Sequence, residues 1–205
     1  FFAGLSWRLI LPPVFLGVVS IILLVFFESE LCAQGVDWKV LHEYQRQRVC
    51  TLLDPARDPL GKGFHIIQGM IAIGSGGFFG KGFMQGTQTH LEFIPERTTD
   101  FVLAVIGEEF GFVGIVVLMG LYLFVVFRAL FLTSQMRDTF SRLLSGSLAA
   151  IFFVYVFINA GMVSGLLPVV GVPLPLVSYG GTSMVTLLAG FGMLMSLYAN
   201  RKLAG

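Results

Sequence analysis

The stretch that decides the fold runs from Phe101 to Phe127, FVLAVIGEEFGFVGIVVLMGLYLFVVF. Only Glu108 and Glu109 interrupt it, and it exceeds the roughly 20 mostly apolar residues that a helix needs to cross a bilayer. Similar runs flank it. Leu9 to Phe27 is uncharged, with Pro12 and Pro13 in its first turn, where missing amide donors cost least. Leu143 to Val163 carries Asn159, and Ser183 to Ala199 is closed by Asn200, Arg201 and Lys202. These runs predict an all-α, polytopic membrane protein with about four spans. Composition agrees: 56% of the residues are hydrophobic and 12% charged, against roughly a quarter charged in a soluble globular protein. A net charge of +1 with no basic tract excludes disordered, collagen-like and nucleic-acid-binding readings.

Orientation follows from the basic residues near the spans. Arg128, Arg137 and Arg142 fall between the second and third runs, Arg201 and Lys202 follow the fourth, and Arg8 precedes the first. The connection from Ser164 to Thr182 has no charge. Both termini and the Arg128–Arg142 connection are therefore expected in the cytoplasm, and Glu28 to Asp100 outside. The start, Phe-Phe-Ala-Gly, has neither a Met nor signal-peptide character, which reads as the C-terminal part of a larger protein. Cys32 and Cys50 both fall in the outer segment, where a disulfide is conceivable. Two cysteines without a framework leave the pairing open.

An outer segment from Glu28 to Asp100 is too long for a passive connection. Within it, Asp37 to Asp54 reads as a helix with Asp37 as N-cap. Leu41, Gln45, Arg48 and Leu52, spaced four, three and four apart, share one face. That face suits either an interfacial helix with snorkelling arginines or a diphosphate contact through Arg48 and Gln45. Gly74 to Gly82, GSGGFFGKG, lacks the spacing of a nucleotide phosphate loop. Its glycines suit a close backbone approach to a helix or ligand, and Lys81 is a candidate anion contact. His42, His65 and His90 have no metal-ligand spacing.

Phe93 to Phe101, FIPERTTDF, is the most chemically loaded stretch. Glu96, Arg97 and Asp100 sit where the outer segment enters the second span, and Thr98 or Thr99 is expected to cap the helix that follows. Asp100 lies near that helix's N-terminus, whose dipole favours the carboxylate. A simple cap and charged collar would explain the same residues. Glu108 and Glu109, about two turns deeper, are costly in lipid and need a bundle interior or aqueous cavity; pairing with a basic residue and direct catalysis are both open to them. Pro168, Pro173 and Pro175 with Gly171, Gly180 and Gly181 prevent a continuous helix between the last two spans. Such backbone survives at membrane depth only when buried in protein or lining a cavity. A rigid re-entrant turn is expected, with Ser178, Tyr179 and Thr182 satisfying stranded backbone groups.

Asn159 to Ser183, NAGMVSGLLPVVGVPLPLVSYGGTS, resembles the C-terminal signature of the SEDS family, which includes RodA, FtsW and SpoVE. Tyr44 to Arg48 (YQRQR), Leu52 to Pro55 (LLDP), GTQT…EFIPERTTDF and Glu108 to Gly111 (EEFG) resemble it too. The combination is closer to the elongation branch than to the division branch. The resemblance implies a ten-span protein whose first five spans are absent from this chain. It implies a peptidoglycan glycosyltransferase of the bacterial cytoplasmic membrane that polymerises lipid II during elongation and rod-shape maintenance. A class B penicillin-binding protein, the elongation machinery and membrane lipids are the implied partners. Asp100 matches the family's essential aspartate, and Gln45 and Arg48 match positions used in the outer loop. Asn159, Pro168, Pro173, Pro175, Ser178, Gly180 and Gly181 stand at the signature's spacing.

The expected chemistry is inversion by direct displacement, with Asp100 drawing the proton from the acceptor's 4-hydroxyl directly or through a divalent cation, Mg or Mn. Gln45, Arg48, Lys81, Glu96 and Arg97 are the expected substrate-binding residues, the cations among them offsetting the departing diphosphate's charge. The competing readings are a lipid II flippase using Glu108, Glu109, Asn159 and the broken segment as a path, and a non-catalytic scaffold for the penicillin-binding protein.

Overall fold

A computed structural model describes residues 7–26, 32, 43–55, 61–87, 98–136 and 138–200. Its long elements are all helices: α1 (Trp7–Phe26), α2 (Glu43–Leu53), α3 (Lys62–Gly76), α4 (Val102–Ser134), α5 (Thr139–Val163) and α6 (Gly181–Asn200). The chain divides into two compact units, residues 1–64 and 65–205.

In the first unit, α1 has 20 residues, about 30 Å at the helical rise. Leu11, Val14, Phe15, Leu16 and Leu23 on it are all more than half exposed. Of the helix expected over 37–54, the part Glu43–Leu53 is described and helical, whereas Asp37 and Trp38 lie outside the described residues. Cys50 on α2 is disulfide-bonded to Cys32, with Cα atoms 5.7 Å apart. The pairing left open by the sequence is thereby made.

The second unit is built on α4, α5 and α6, three helices long and apolar enough to cross a membrane. Their shared core is aromatic. Phe152 on α5 lies 5.9 Å from Tyr122 on α4 and meets Phe191 on α6 edge-on at 5.2 Å. Ala129, Ala149 and Leu194 continue the contact along the helices. The opposite faces are apolar and exposed, with Phe124, Phe127, Phe157 and Val185 each more than half accessible. A contiguous band of this kind marks a lipid boundary rather than a wetted surface. The protein is a multi-pass membrane protein.

The spans run past the limits that charge suggests. α4 continues to Ser134 and α5 starts at Thr139, so Arg128 and Arg142 are helical. A long cationic side chain can lie along its own helix while its head leaves the apolar layer. The Arg128 guanidinium sits 5.7 Å from the centre of the Phe131 ring. Asp138 caps α5, its Oδ2 accepting the Ser141 amide at 2.9 Å. That hydrogen bond holds the Asp138 carboxyl below the ordinary aspartate pKa.

α4 is also broken. Gly111 has φ 67 and ψ −162 inside it, and the glycine-rich loop after α3 fills the gap. Lys81 and Gly82 donate their amides to the carbonyls of Glu108 and Glu109, at 3.0 and 2.9 Å. Phe112 and Val113 donate to the carbonyls of Gly77 and Phe78, at 2.9 and 3.1 Å. The groups stranded on either side of the break are thus paired, as an apolar surround demands. Glycine is required for the fit: a Cβ on Gly80 would stand 2.1 Å from the Glu109 carbonyl oxygen, and one on Gly111 2.3 Å from the Gly80 nitrogen. Of the two approaches the glycines allowed, the structure realises the one to a helix.

Candidate functional site

Asp100 lies in the turn 98–100 that leads into α4. Its neighbour Phe101 is the anchor, fully buried beneath α3. There a Cβ on Gly69 would lie 3.2 Å from the Phe101 ring, and the His65 ring is centred 6.0 Å away. Phe101 occupies the N-cap position of α4, and no side chain caps the helix. The expected cap by Thr98 or Thr99 does not form, because burying Phe101 takes the cap position and turns the threonine carbonyls toward the segment 164–180.

That segment holds no helix and clamps the turn through three successive carbonyls. The Tyr179 amide donates to the Thr98 carbonyl at 2.9 Å. The Ser178 hydroxyl donates to the Thr99 carbonyl while its oxygen accepts the Leu174 amide at 2.7 Å. Asn159 on α5 donates from Nδ2 to the Asp100 carbonyl at 2.8 Å and to the Val172 carbonyl at 2.7 Å. Ser178 therefore satisfies local backbone as the sequence led one to expect. Tyr179 does so through its amide only: its side chain is 83% exposed, so its hydroxyl stands clear of the turn. Thr182 is exposed, its carbonyl accepting the Thr186 hydroxyl at 2.7 Å as part of α6. The Tyr122 hydroxyl on α4 donates to the Pro175 carbonyl at 2.5 Å, fixing the proline-rich stretch from below. Leu176, at φ 63, is held in a left-handed conformation that a branched residue adopts only when its surroundings impose it.

The carboxylate itself is half-buried and faces a glycine. Gly171 has φ 80, and a Cβ built on it would come within 3.1 Å of Asp100 Oδ2. Gly171 is exposed, so the Asp100 carboxylate borders an open face while the turn that carries it is held at the Thr98, Thr99 and Asp100 carbonyls. A carboxylate so held can accept a proton from a hydroxyl presented at that face. No group of three or more His, Cys, Asp or Glu able to hold a metal occurs among the described residues. Asp100 fits a divalent cation only in the manner of magnesium, bound by one or two carboxylates together with substrate phosphates.

The other expected residues are distributed differently. Lys81 Nζ donates to Glu108 Oε1 at 2.8 Å and to the Thr87 hydroxyl at 2.7 Å, and Thr87 donates to the same carboxylate oxygen at 3.1 Å. Glu108 is fully buried. Of the two roles open to Glu108, pairing with a basic residue is the one observed, and the ammonium expected to meet substrate anion is engaged with it. Gln45 and Arg48 lie on α2 in the first unit, Gln45 exposed and Arg48 half-buried. Glu96, Arg97 and His90 lie outside the described residues. Sequence reasoning met Thr87 only within the GTQT motif and gave it no role, and it missed the part Gly171 plays beside Asp100. The Gly-Val-Pro at 171–173 marked a bend without saying what the bend faces.

Comparison with known proteins adds the following. The FtsW/RodA/SpoVE family profile, described as cell cycle protein, matches residues 1–203. The chain is 54% identical over 203 residues to the peptidoglycan glycosyltransferase MrdB of Escherichia coli K12, covering 99% of this chain and 52% of that protein. It is 43% identical over 163 residues to the peptidoglycan glycosyltransferase RodA of Treponema pallidum, covering 80% and 38%. The chain thus spans about half the length, or less, of these relatives. Among solved structures, it is similar to a chain reported under "structural coordination of polymerization and crosslinking by a peptidoglycan synthase complex", with TM-score 0.67, 37% identity and coverage of 97% and 51%. It also resembles a point variant of the rod shape determining protein RodA of Thermus thermophilus, with TM-score 0.51, 27% identity and coverage of 85% and 62%.

Proposed function

The chain belongs to the FtsW/RodA/SpoVE family, and from that premise we propose that it carries the acceptor-activating carboxylate of a peptidoglycan glycosyltransferase that polymerises lipid II during cell elongation. The observation that carries this reading is the fixed placement of Asp100 beside the exposed Gly171. Asp100 takes the proton from the acceptor sugar's 4-hydroxyl as that oxygen attacks the donor's anomeric carbon and the lipid diphosphate departs, inverting the linkage. Diphosphate leaves readily, so the site needs charge neutralisation more than an acid. Arg48, Arg97 and Lys81 are the proposed sources on the strength of the family resemblance, Lys81 being also bonded to Glu108. Asp100 would be the residue to hold a divalent cation, which would supply further neutralisation.

The reaction belongs on the outer side of the cytoplasmic membrane, where lipid II is displayed, with both ends of this chain in the cytoplasm. The Cys32–Cys50 disulfide supports that orientation, because such bonds persist in oxidising compartments. A penicillin-binding protein of class B is the proposed partner, by analogy with the synthase complex that this chain resembles. Transport across the bilayer is the weaker reading: Glu108, one of the groups it would draw on with Glu109, Asn159 and the broken segment, is fully buried and ion-paired.

The test is a lipid II polymerisation assay on the full-length protein with its partner, comparing wild type and Asp100→Asn with and without chelator. Asp100→Asn should keep the fold and lower glycan synthesis by roughly a hundredfold to ten-thousandfold. Substantial synthesis by a well-folded Asp100→Asn protein would refute the base role, and chelator-insensitive synthesis would remove the cation.

A further inference from the structure

We infer that Asn159 is a positioning residue for Asp100, acting jointly with Gly171; the inference rests on the catalytic reading of Asp100. Asn159 is fully buried in α5, yet its amide serves no bond within its own helix. Both Nδ2 hydrogens are spent on other segments, one on the Asp100 carbonyl and one on the Val172 carbonyl. A single side chain therefore locks together the turn that bears the carboxylate and the residue that follows Gly171. Its Oδ1 is buried with no hydrogen-bond partner, a cost that a purely space-filling side chain would avoid. Gly171 completes the arrangement, since a Cβ there would press on Asp100 Oδ2 at 3.1 Å. One residue fixes the backbone of Asp100, and the other sets how near the neighbouring chain comes to its carboxylate. Asn159 has no exposed surface with which to meet substrate, so its effect passes through Asp100.

Geometry of this kind sets rate more than affinity. Misplacing a reacting group by about 1 Å costs on the order of a hundredfold in turnover, while the groups that hold the lipid diphosphate are untouched. The experiment measures kcat and KM for lipid II with the full-length protein and its partner, for wild type, Asn159→Leu, Gly171→Ala and Asp100→Asn. Only protein that is monodisperse and retains a cooperative thermal transition is assayed. Asn159→Leu removes the donor at nearly constant volume, whereas Gly171→Ala adds one methyl and removes no hydrogen bond. Both should lower kcat at least tenfold and leave KM within about threefold.

A smaller fall in kcat in either folded variant overturns the inference, and so does a rise in KM with kcat held, which would mark a substrate contact. If Asn159→Leu gives no folded protein, Gly171→Ala decides by the same criteria. The Asp100→Asn arm separates the two levels. An inactive Asp100→Asn protein beside normal Asn159→Leu and Gly171→Ala proteins defeats the positioning role alone. An active Asp100→Asn protein defeats the catalytic reading, and any loss at Asn159 would then not pass through Asp100.

Discussion

At the residue scale, Glu108 is the most demanding group in the second unit: a carboxylate with no exposed surface, in a span. Lys81 and Thr87, both from the segment that follows α3, donate to its carboxylate. Removing one partner of a buried pair costs about 3–5 kcal/mol. The Lys81 side chain is 27% exposed, so solvent already screens part of the attraction. Lys81→Met should therefore destabilise the protein by roughly 2–4 kcal/mol, read as a lowered midpoint of thermal unfolding in detergent. Glu108→Gln, which removes the charge instead of stranding it, should lose less. A Lys81→Met protein as stable as wild type would show that the pair contributes nothing. Pairing with a basic residue was one of two roles legible in the sequence, because a carboxylate at that depth is costly. Which lysine supplied it was not, since Lys81 and Glu108 are far apart in the chain and no periodicity links them.

At the scale of elements, the long α4 depends on a loop that precedes it. Four backbone bonds join the Gly77–Gly82 stretch to the two sides of the break at Gly111. Gly80→Ala would drive a Cβ into the Glu109 carbonyl and unseat that loop. At about 1 kcal/mol per hydrogen bond, the expected loss is roughly 2–4 kcal/mol, with faster amide exchange at Lys81, Gly82, Phe112 and Val113. Exchange at those four amides matching wild type would mean that the loop stays seated. The helices were legible from long apolar runs and the irregular 164–180 stretch from its prolines. The break at Gly111 was not: Gly111 is one of four glycines in the 101–127 run, each of which reads as tolerated helix, and only the arriving loop singles it out. Helix α3 was obscured for the opposite reason, being short, glycine-containing and set in a segment whose turn residues dominate its composition. The caps expected at Thr98 and Thr99 failed because local propensity gave way to the burial of Phe101.

On the scale of the whole molecule, everything proposed for Asp100 requires the 28–100 segment to face outward. After mild reduction of intact cells, a membrane-impermeant thiol reagent should label Cys32 and Cys50, and without reduction it should label neither. Labelling that appears only after lysis would put the segment inside and end the catalytic proposal. The candidate site was legible in part. Asp100 and Asn159 stood out singly, one as a carboxylate at a span entrance and the other as a lone amide among apolar residues. Their meeting depends on α5 packing against the start of α4, a long-range contact that no local pattern encodes.

The keyed loop has a consequence for biogenesis. The chain delivers Gly77–Gly82 before α4 emerges from the ribosome, yet α4 alone would enter lipid with the carbonyls of Glu108 and Glu109 and the amides of Phe112 and Val113 stranded. Hydrocarbon does not tolerate four such groups. The Gly77–Gly82 loop and α4 are therefore expected to pair before α4 is released into lipid.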